Sequence, residues 1–269
     1  MDTRKPAVAG RFYPGEKGAL EGAVRSALVP AAGARRKALG VIVPHAGYIY
    51  SGAVAGRVFA SIEVPERAVL LGPNHHGSGA PGAIDTTGQW ETPLGGVRVD
   101  SGLARELARA VPELRDDPDA HVPEHSLEVE LPFLQALNPQ VSIVPIMLSI
   151  PQLSSLIIMG RKIGSILKTH TPSPLLVASS DMNHYEPHDA TLEKDKYALD
   201  AVMALDEEAL WKAVRDHRIS MCGVQPVALM LAAAKEMGAK KAELLEHTTS
   251  GPVSGDYDHT VGYAGVIIS

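Results

Sequence analysis

The stretch GVIVPHAGY, residues 40–48, decides the fold. Its apolar, β-branched first half is typical of a buried strand, and a proline and a glycine then end the strand in a turn that carries His45. The same order of strand and turn recurs in VLLGPNHHG, residues 69–77, and in LLVASSDMNH, residues 175–184. Strands that end in polar turns and alternate with helical segments predict an α/β fold.

Outward from these three stretches, short apolar runs alternate with longer segments of helical period. The predicted strands are 38–43, 68–71, 141–148, 175–178 and 261–268. The predicted helices are 17–28, 53–62, 102–111, 126–136, 153–167, 193–205, 207–214 and 224–237. This alternation predicts a single α/β domain over residues 1–269, with a mostly parallel or mixed sheet flanked by helices.

The composition argues against several classes of protein. With 45% apolar residues in 269, the chain can form a sizeable core. The net charge of −6, with both signs interspersed, argues against binding to nucleic acid or to a membrane surface, because both need basic clusters. No apolar run approaches the roughly 18 residues of a membrane-spanning helix, and residues 1–6 lead into no apolar signal segment. A single cysteine excludes an intrachain disulfide and suits the cytoplasm.

Polar side chains follow the three strands at equivalent places. The first turn carries His45, the second His75 and His76, and the third Asp181 and His184. Ligands bind at the carboxyl ends of strands in open α/β sheets, so these side chains meet if the three strands are parallel and adjacent. Because imidazole is the commonest metal ligand, the pattern indicates a metal site. Any one of these histidines alone would more often be an ordinary turn residue.

Two further segments carry candidate site residues. Cys222 precedes an Ala- and Leu-rich helix, whose positive end favours the thiolate that binds metal; the alternative is a small buried apolar residue. Glu124 and His125 stand at the start of the predicted helix 126–136, where they either project into a cleft or form an ordinary acidic first turn. The motifs GxxxxGK[ST], HExxH and GxSxG do not occur.

Taken together, these turns resemble the Memo family, which includes the eukaryotic mediator of cell motility and archaeal and bacterial relatives. The matching stretches keep the family's order across nearly the whole chain: AGRFYP (9–14), PHAGY (44–48), LGPNHH (71–76), EHSLE (124–128), SSDMNH (179–184) and CG (222–223).

The resemblance implies a fold similar to that of class III extradiol dioxygenases, which hold non-haem Fe(II) with two histidines and a carboxylate. It implies metal ligation by His45, His75 and Cys222, with the cysteine in place of the carboxylate. It also places His184, with Asp181, near the histidine that is the acid/base of the dioxygenases. A thiolate is softer than a carboxylate and is itself oxidisable, which argues against ring cleavage even if iron binds.

The predicted function is that of a metal-dependent redox enzyme acting on a small molecule, with iron as the first expectation and copper or zinc as alternatives. The side chains expected to line the pocket are Tyr48, Asn74, His76, Glu124 and His125. Two other functions stay open: a binding module that uses the same pocket for a peptide or an anionic ligand, and a hydrolase that uses zinc-activated water. The resemblance also implies radical-SAM and AMMECR-type proteins as partners.

Overall fold

The strands that end in polar turns lie at the centre of one mixed sheet. The computed structural model describes residues 3–31 and 33–269. The strands within them are β1 (Thr3–Arg4), β2 (Gly40–Val43), β3 (Arg67–Pro73), β4 (Gly82–Ile84), β5 (Gln89–Thr92), β6 (Gly95–Val99), β7 (Arg115–Asp116), β8 (Ser142–Leu148), β9 (Leu175–Ser179), β10 (His184–Glu186), β11 (Ala242–Thr249) and β12 (Thr260–Ile268). The helices are α1 (Lys17–Ala27), α2 (Tyr48–Ala60), α3 (Ser101–Ala110), α4 (Leu131–Leu137), α5 (Leu153–Leu167), α6 (His188–Met203), α7 (Glu207–Asp216), α8 (Val224–Met237) and α9 (Gly251–Ser254), with 3-10 turns at Pro118–His121 and Glu128–Glu130.

The strand order along the sheet is β1-β5-β6-β8-β3-β9-β2-β12-β10, with β11 paired to β12 and β4 paired to β7 and β8. The run from β6 to β2 is parallel, whereas β12 is antiparallel to β2. Strands β2, β3, β8 and β9 are apolar and buried over almost their whole length, as expected for parallel strands that helices cover. The predicted α/β fold with a mixed sheet flanked by helices is confirmed.

The five predicted strands are present, with ends shifted by a residue or two. The strands that were not predicted are short or polar, and the longest of them, β11 (AELLEHTT), has too many charged residues for a clear apolar period. The predicted helix 126–136 is wrong in its first half, because the α-helix begins only at Leu131. Pro132 lacks an amide proton and would clash with the preceding turn of a continuous helix, so it stands in the first turn of α4 instead. No helix in the described part of the chain is long and apolar enough to cross a membrane.

Helices α5 and α8 approach each other as closely as only glycine allows. A Cβ atom on Gly160 would overlap the carbonyl oxygen of Leu229, and one on Gly164 would overlap that of Ala233. Both obstacles are backbone atoms, which cannot move aside as a flexible side chain can. Because α8 also packs against β3 and β9, this close contact supports the centre of the sheet.

Replacing Gly160 by alanine is expected to lower the free energy of unfolding by about 1–3 kcal/mol, the usual cost of an overpacked core. Gly22 provides the matched control, because it lies in the exposed face of α1 with open space around it. Gly22→Ala is expected to raise stability by about 0.5–1 kcal/mol through helix propensity. Urea unfolding of both variants measures the difference, and equal effects would contradict the close-packing argument.

Candidate metal centre

The three polar turns meet at one edge of the sheet. Strands β3, β9 and β2 are consecutive neighbours and run in the same direction, which is the adjacency that the sequence argument assumed. His75 follows β3, Asp181 follows β9 and His45 follows β2, each two residues beyond the end of its strand. This carboxyl edge is where ligands bind in open α/β sheets.

Three imidazole rings converge at this edge. The ring centroids lie 5.2 Å apart for His45 and His75, 5.4 Å apart for His45 and His125, and 4.8 Å apart for His75 and His125. One ring nitrogen from each residue lies within 4.8 Å of the other two. His45 is buried, His125 is half-buried and His75 is exposed. The group can therefore hold one metal ion and is open to solvent on the His75 side.

Hydrogen bonds to Nδ1 determine which ring nitrogen of His45 and of His75 is free to bind a metal ion. Nδ1 of His45 lies 2.7 Å from Oγ of Ser179, and this hydroxyl donates to the carbonyl oxygen of Ser126 at 2.7 Å. The hydroxyl has a single proton, so Nδ1 of His45 donates to it and Nε2 keeps its lone pair. Nδ1 of His75 donates to Oε1 of Glu124 at 2.9 Å. Such partners orient metal-binding imidazoles and fix their tautomer.

Glu124 joins two parts of the site. Its buried carboxylate accepts the backbone amides of His75 at 2.8 Å and of His125 and Ser126 at 3.0 Å, besides the His75 ring. Burial alone would raise the pKa of Glu124, but the hydrogen bonds from the His75 ring and from the backbone amides, with the electrostatic attraction of that ring, outweigh it and hold the pKa well below its ordinary value. Glu124 therefore stays ionised and links the turn after β3 to the segment that carries His125.

Cys222 stands beside His45, but the group of mutually close ligand atoms has His125, and not Cys222, as its third member. Sγ of Cys222 lies 3.2 Å from Nε2 of His45 and accepts the amide of Asp181 at 3.3 Å. The pKa of this thiol lies far above its ordinary value, mainly because the thiol is buried and secondly because the Asp181 carboxylate is near it. The expectation that the start of α8 favours the thiolate is therefore wrong for the protein without a metal. A bound cation favours the deprotonated sulfur and reverses this balance.

His184 and Asp181 flank the imidazole group. Nδ1 of His184 donates to the carbonyl oxygen of Ser220 at 2.9 Å, which leaves Nε2 available to take up a proton. Burial lowers the pKa of His184. Oδ1 of Asp181 accepts the amide of His45 at 2.8 Å, and burial raises the pKa of Asp181 to about 7. Near neutral pH the site therefore holds a neutral histidine and a carboxyl group close to its midpoint.

The other side chains predicted for the pocket mostly hold its backbone in place. The Tyr48 hydroxyl donates at 2.6 Å to a carbonyl oxygen in the 3-10 turn at Glu128–Glu130. Nδ2 of Asn74 donates to the carbonyl oxygen of Ser78 at 2.7 Å and closes the turn after β3. His76 lies exposed in that turn. Tyr48 and Asn74 therefore contribute to the shape of the site through the backbone.

Comparison with known proteins identifies the family. The family model described as Memo-like protein matches residues 4–267. The chain belongs to the Memo-like family. It is 44% identical to a MEMO1 family protein of Pyrobaculum aerophilum over 99% of both chains. Its identity is 40% to a MEMO1 family protein of Methanopyrus kandleri, over 98% of both chains, and 40% to one of Aquifex aeolicus, over 99% of both.

A solved structure shares the fold of this Memo-like chain. An uncharacterized protein from Escherichia coli K12 superposes with a TM-score of 0.55, covering 85% of this chain and 98% of its own. The two sequences are 12% identical, so the similarity concerns the fold alone.

Sequence reasoning missed two aromatic residues of the Memo-like site. The Phe12 ring lies 4.6 Å from the His125 ring, and Phe12 belongs to the AGRFYP stretch, which was a signal available in the sequence. Tyr185 lies beside His184, with ring centroids 5.7 Å apart, and is 76% exposed with a φ of 60°. Nothing in the sequence marks this left-handed conformation, which is strained for a bulky side chain.

Tyr185→Gly is expected to leave stability unchanged or to raise it by up to about 1 kcal/mol, because glycine relieves the strain of a positive φ. Tyr50→Gly is the matched control, since Tyr50 is also a partly exposed tyrosine but lies in α2 with helical geometry. Glycine there is expected to cost about 0.5–1 kcal/mol. Thermal unfolding compares the two variants, and an equal loss in both would show that Tyr185 is not strained.

Proposed function

We propose that this Memo-like chain is a metal-dependent redox protein that acts on a small molecule. The observation that carries the proposal is the convergence of ring nitrogens from His45, His75 and His125 within 4.8 Å of one another. Sγ of Cys222 adds a sulfur donor 3.2 Å from Nε2 of His45. Imidazole nitrogen with one sulfur is a donor set that suits copper, zinc and iron.

The imidazole donors of His45 and His75 fit a metal ion in their tautomers as well as in their positions. The pKa of His45 lies well below its ordinary value, mainly because the ring is buried and secondly because the His125 and His75 rings are near it. This ring is therefore neutral. Neutral imidazole is the form that binds metal. Ser179 and Glu124 hold Nδ1 of His45 and His75, which leaves both Nε2 atoms for ligation.

Two ligand sets are considered, and they favour different metals: the positions of the ring nitrogens support His125 as the third ligand, and the family resemblance supports Cys222. His45 and His75 belong to both sets, and either His125 or Cys222 is the third ligand. The resemblance to iron-dependent dioxygenases supports iron as the first choice. The sulfur of Cys222 would favour Cu(I) or zinc, because thiolate is a soft ligand.

The chain itself provides groups that move protons. A redox-active metal held here would supply electron transfer to or from the small molecule. The neutral His184 can accept a proton at Nε2, and its Nδ1 bond to Ser220 keeps the ring oriented. Asp181, whose pKa lies at about 7, can hold or release a proton next to His45. Acid/base roles for these two residues are part of the proposal.

Zinc-dependent hydrolysis is the second candidate function. Three histidines with an open fourth position form the ligand set of a known class of catalytic zinc site, and the exposed position of His75 leaves this centre open on one side. Hydrolytic turnover with zinc that is indifferent to O₂ would favour this candidate over the redox function. Binding of peptides and partnership with radical-SAM or AMMECR-type proteins stay predictions.

Anaerobic titration with Fe(II), Cu(I) and Zn(II) tests the site. We expect one ion per chain. His75→Ala should weaken binding by more than the roughly 10–100-fold that loss of an outer partner alone costs, because it removes a ligand and the ring that Glu124 binds. His217→Ala, which removes an exposed histidine at the end of α7, should bind like the wild type.

Two more variants separate the ligand sets. If Cys222→Ser weakens binding and His125→Ala does not, the set is two histidines and a cysteine; the reverse result gives three histidines. A wild-type protein that takes up none of the three metals but retains a peptide or phosphate would contradict the metal-dependent function and favour the binding module.

A further inference from the structure

Arg4 makes a set of contacts that converge on one segment of the site. Its side chain is 6% exposed. Nε donates to the carbonyl oxygen of His121 at 2.8 Å, Nη2 to that of Glu124 at 2.6 Å, and Nη1 to Oε2 of Glu128 at 2.7 Å. Its Cζ atom lies 4.2 Å from the centre of the Trp90 ring. Because a guanidinium group presents its donors in a rigid planar fork, these acceptors are held at fixed separations.

The three acceptors span residues 121–128, which form the segment that carries His125. Residues 122–127, all of them described, adopt neither helix nor strand. The backbone bond from the Glu124 amide to the His121 carbonyl is long, at 3.3 Å. Side-chain hydrogen bonds, those of the Arg4 fork among them, therefore hold the 121–128 segment in place where regular secondary structure does not.

The 121–128 segment determines the positions of two of the three imidazoles. His125 belongs to it, and Glu124 binds both the ring and the amide of His75. His45 is linked to the segment less directly, because the Ser179 hydroxyl that contacts its Nδ1 donates to the carbonyl oxygen of Ser126. A displaced segment would therefore move His125 and free the ring of His75.

Residues 7–13 hold the same segment from another side. The buried carboxylate of Glu128 accepts the amides of Ala7 and Val8 at 2.7 and 3.0 Å and the hydroxyl of Tyr13 at 2.7 Å. The ring of Phe12 lies 4.6 Å from the imidazole that the segment carries. The contacts of Arg4 are thus part of a strap, residues 4–13, that packs across the 121–128 segment.

We propose that Arg4 is a positioning residue of the metal centre. It holds the 121–128 segment so that His125 and, through Glu124, His75 face the metal; the inference rests on the proposed metal-binding function. Coupling between two sites is reciprocal, so a bound metal that fixes His75 and His125 also stabilises the strap.

Arg4→Lys tests the proposal, because lysine keeps the charge and loses the planar fork. With Co(II) and Zn(II) as probes, we expect affinity to fall about 10–100-fold, the usual effect of losing an outer partner of a metal site. The absorption spectrum of bound Co(II) should also change, because the imidazoles that Glu124 and the segment position lose their geometry. If Arg4 only stabilised the fold, Arg4→Lys would lower the melting temperature but leave the Co(II) spectrum and the metal affinity of the folded molecules unchanged.

Arg36→Lys is the matched control. Arg36 also makes a two-pronged pair, with Glu243 at 2.9 and 2.8 Å. Glu243 pairs with Ile267 next to the start of β2, so the pair lies at the sheet edge opposite the site. This variant should keep the wild-type affinity and the wild-type Co(II) spectrum.

Hydrogen exchange of the wild type gives a second measurement that needs no variant. Adding Zn(II) should slow the exchange of the Ala7 and Val8 amides, which bond to Glu128. Unchanged exchange at both amides, or Arg4→Lys with wild-type affinity and spectrum, would overturn the role of Arg4 while the metal site stands. A wild-type protein that binds neither Co(II) nor Zn(II) would instead refute the metal function and the positioning role with it.

Discussion

The parallel pairing of β3, β9 and β2 is the constraint on which the site depends. Because the three strands run in one direction and lie side by side, the turns that follow them open at the same edge. The central strand, β9, contributes twice: its last residue, Ser179, lies behind His45, and Asp181 follows in the turn. The same pairing that completes the core thus brings both histidine turns and their supporting groups together.

The sheet alone does not complete the group of imidazoles. His125 comes from a segment outside the sheet, which is joined to the His75 turn by Glu124 and to residues 4–13 by Arg4 and Glu128. Burying ionised side chains is costly, and such pairs are weak evidence for stability. Here each carboxylate accepts several donors, and Glu124 lies directly behind His75. This arrangement is more readily explained by the need to position the site than by stabilisation of the fold.

The sequence predicted the parts of the site that a regular pattern marks, and missed those that depend on tertiary contacts. His45 and His75 could be found because each follows an apolar run and a proline, but the adjacency of their strands had to be assumed. The place of Cys222 came from the family resemblance. The argument that its pKa falls at the start of a helix failed, because burial and Asp181 outweigh the helix dipole.

His125 shows why the rest could not be predicted. The sequence predicted a pocket position for it, just before a helix starting at residue 126. The α-helix begins only at Leu131, because Pro132 fits its first turn and not its interior, and the segment before it is irregular. That segment has no apolar period, and one of its hydrogen-bond donors is Arg4, more than a hundred residues away in the chain. Sequence patterns report local periodicity, and they do not report which distant side chain fixes a loop.

Anomalous diffraction from crystals prepared anaerobically with Fe(II) or Zn(II) is the most direct measurement of the metal centre. The account predicts one dominant metal peak at bonding distance, about 2.0–2.3 Å, from Nε2 of both His45 and His75, with His125 or Cys222 as the third ligand. Full metal loading with the metal peak at another place in the structure, or no peak between these two rings, would contradict this prediction.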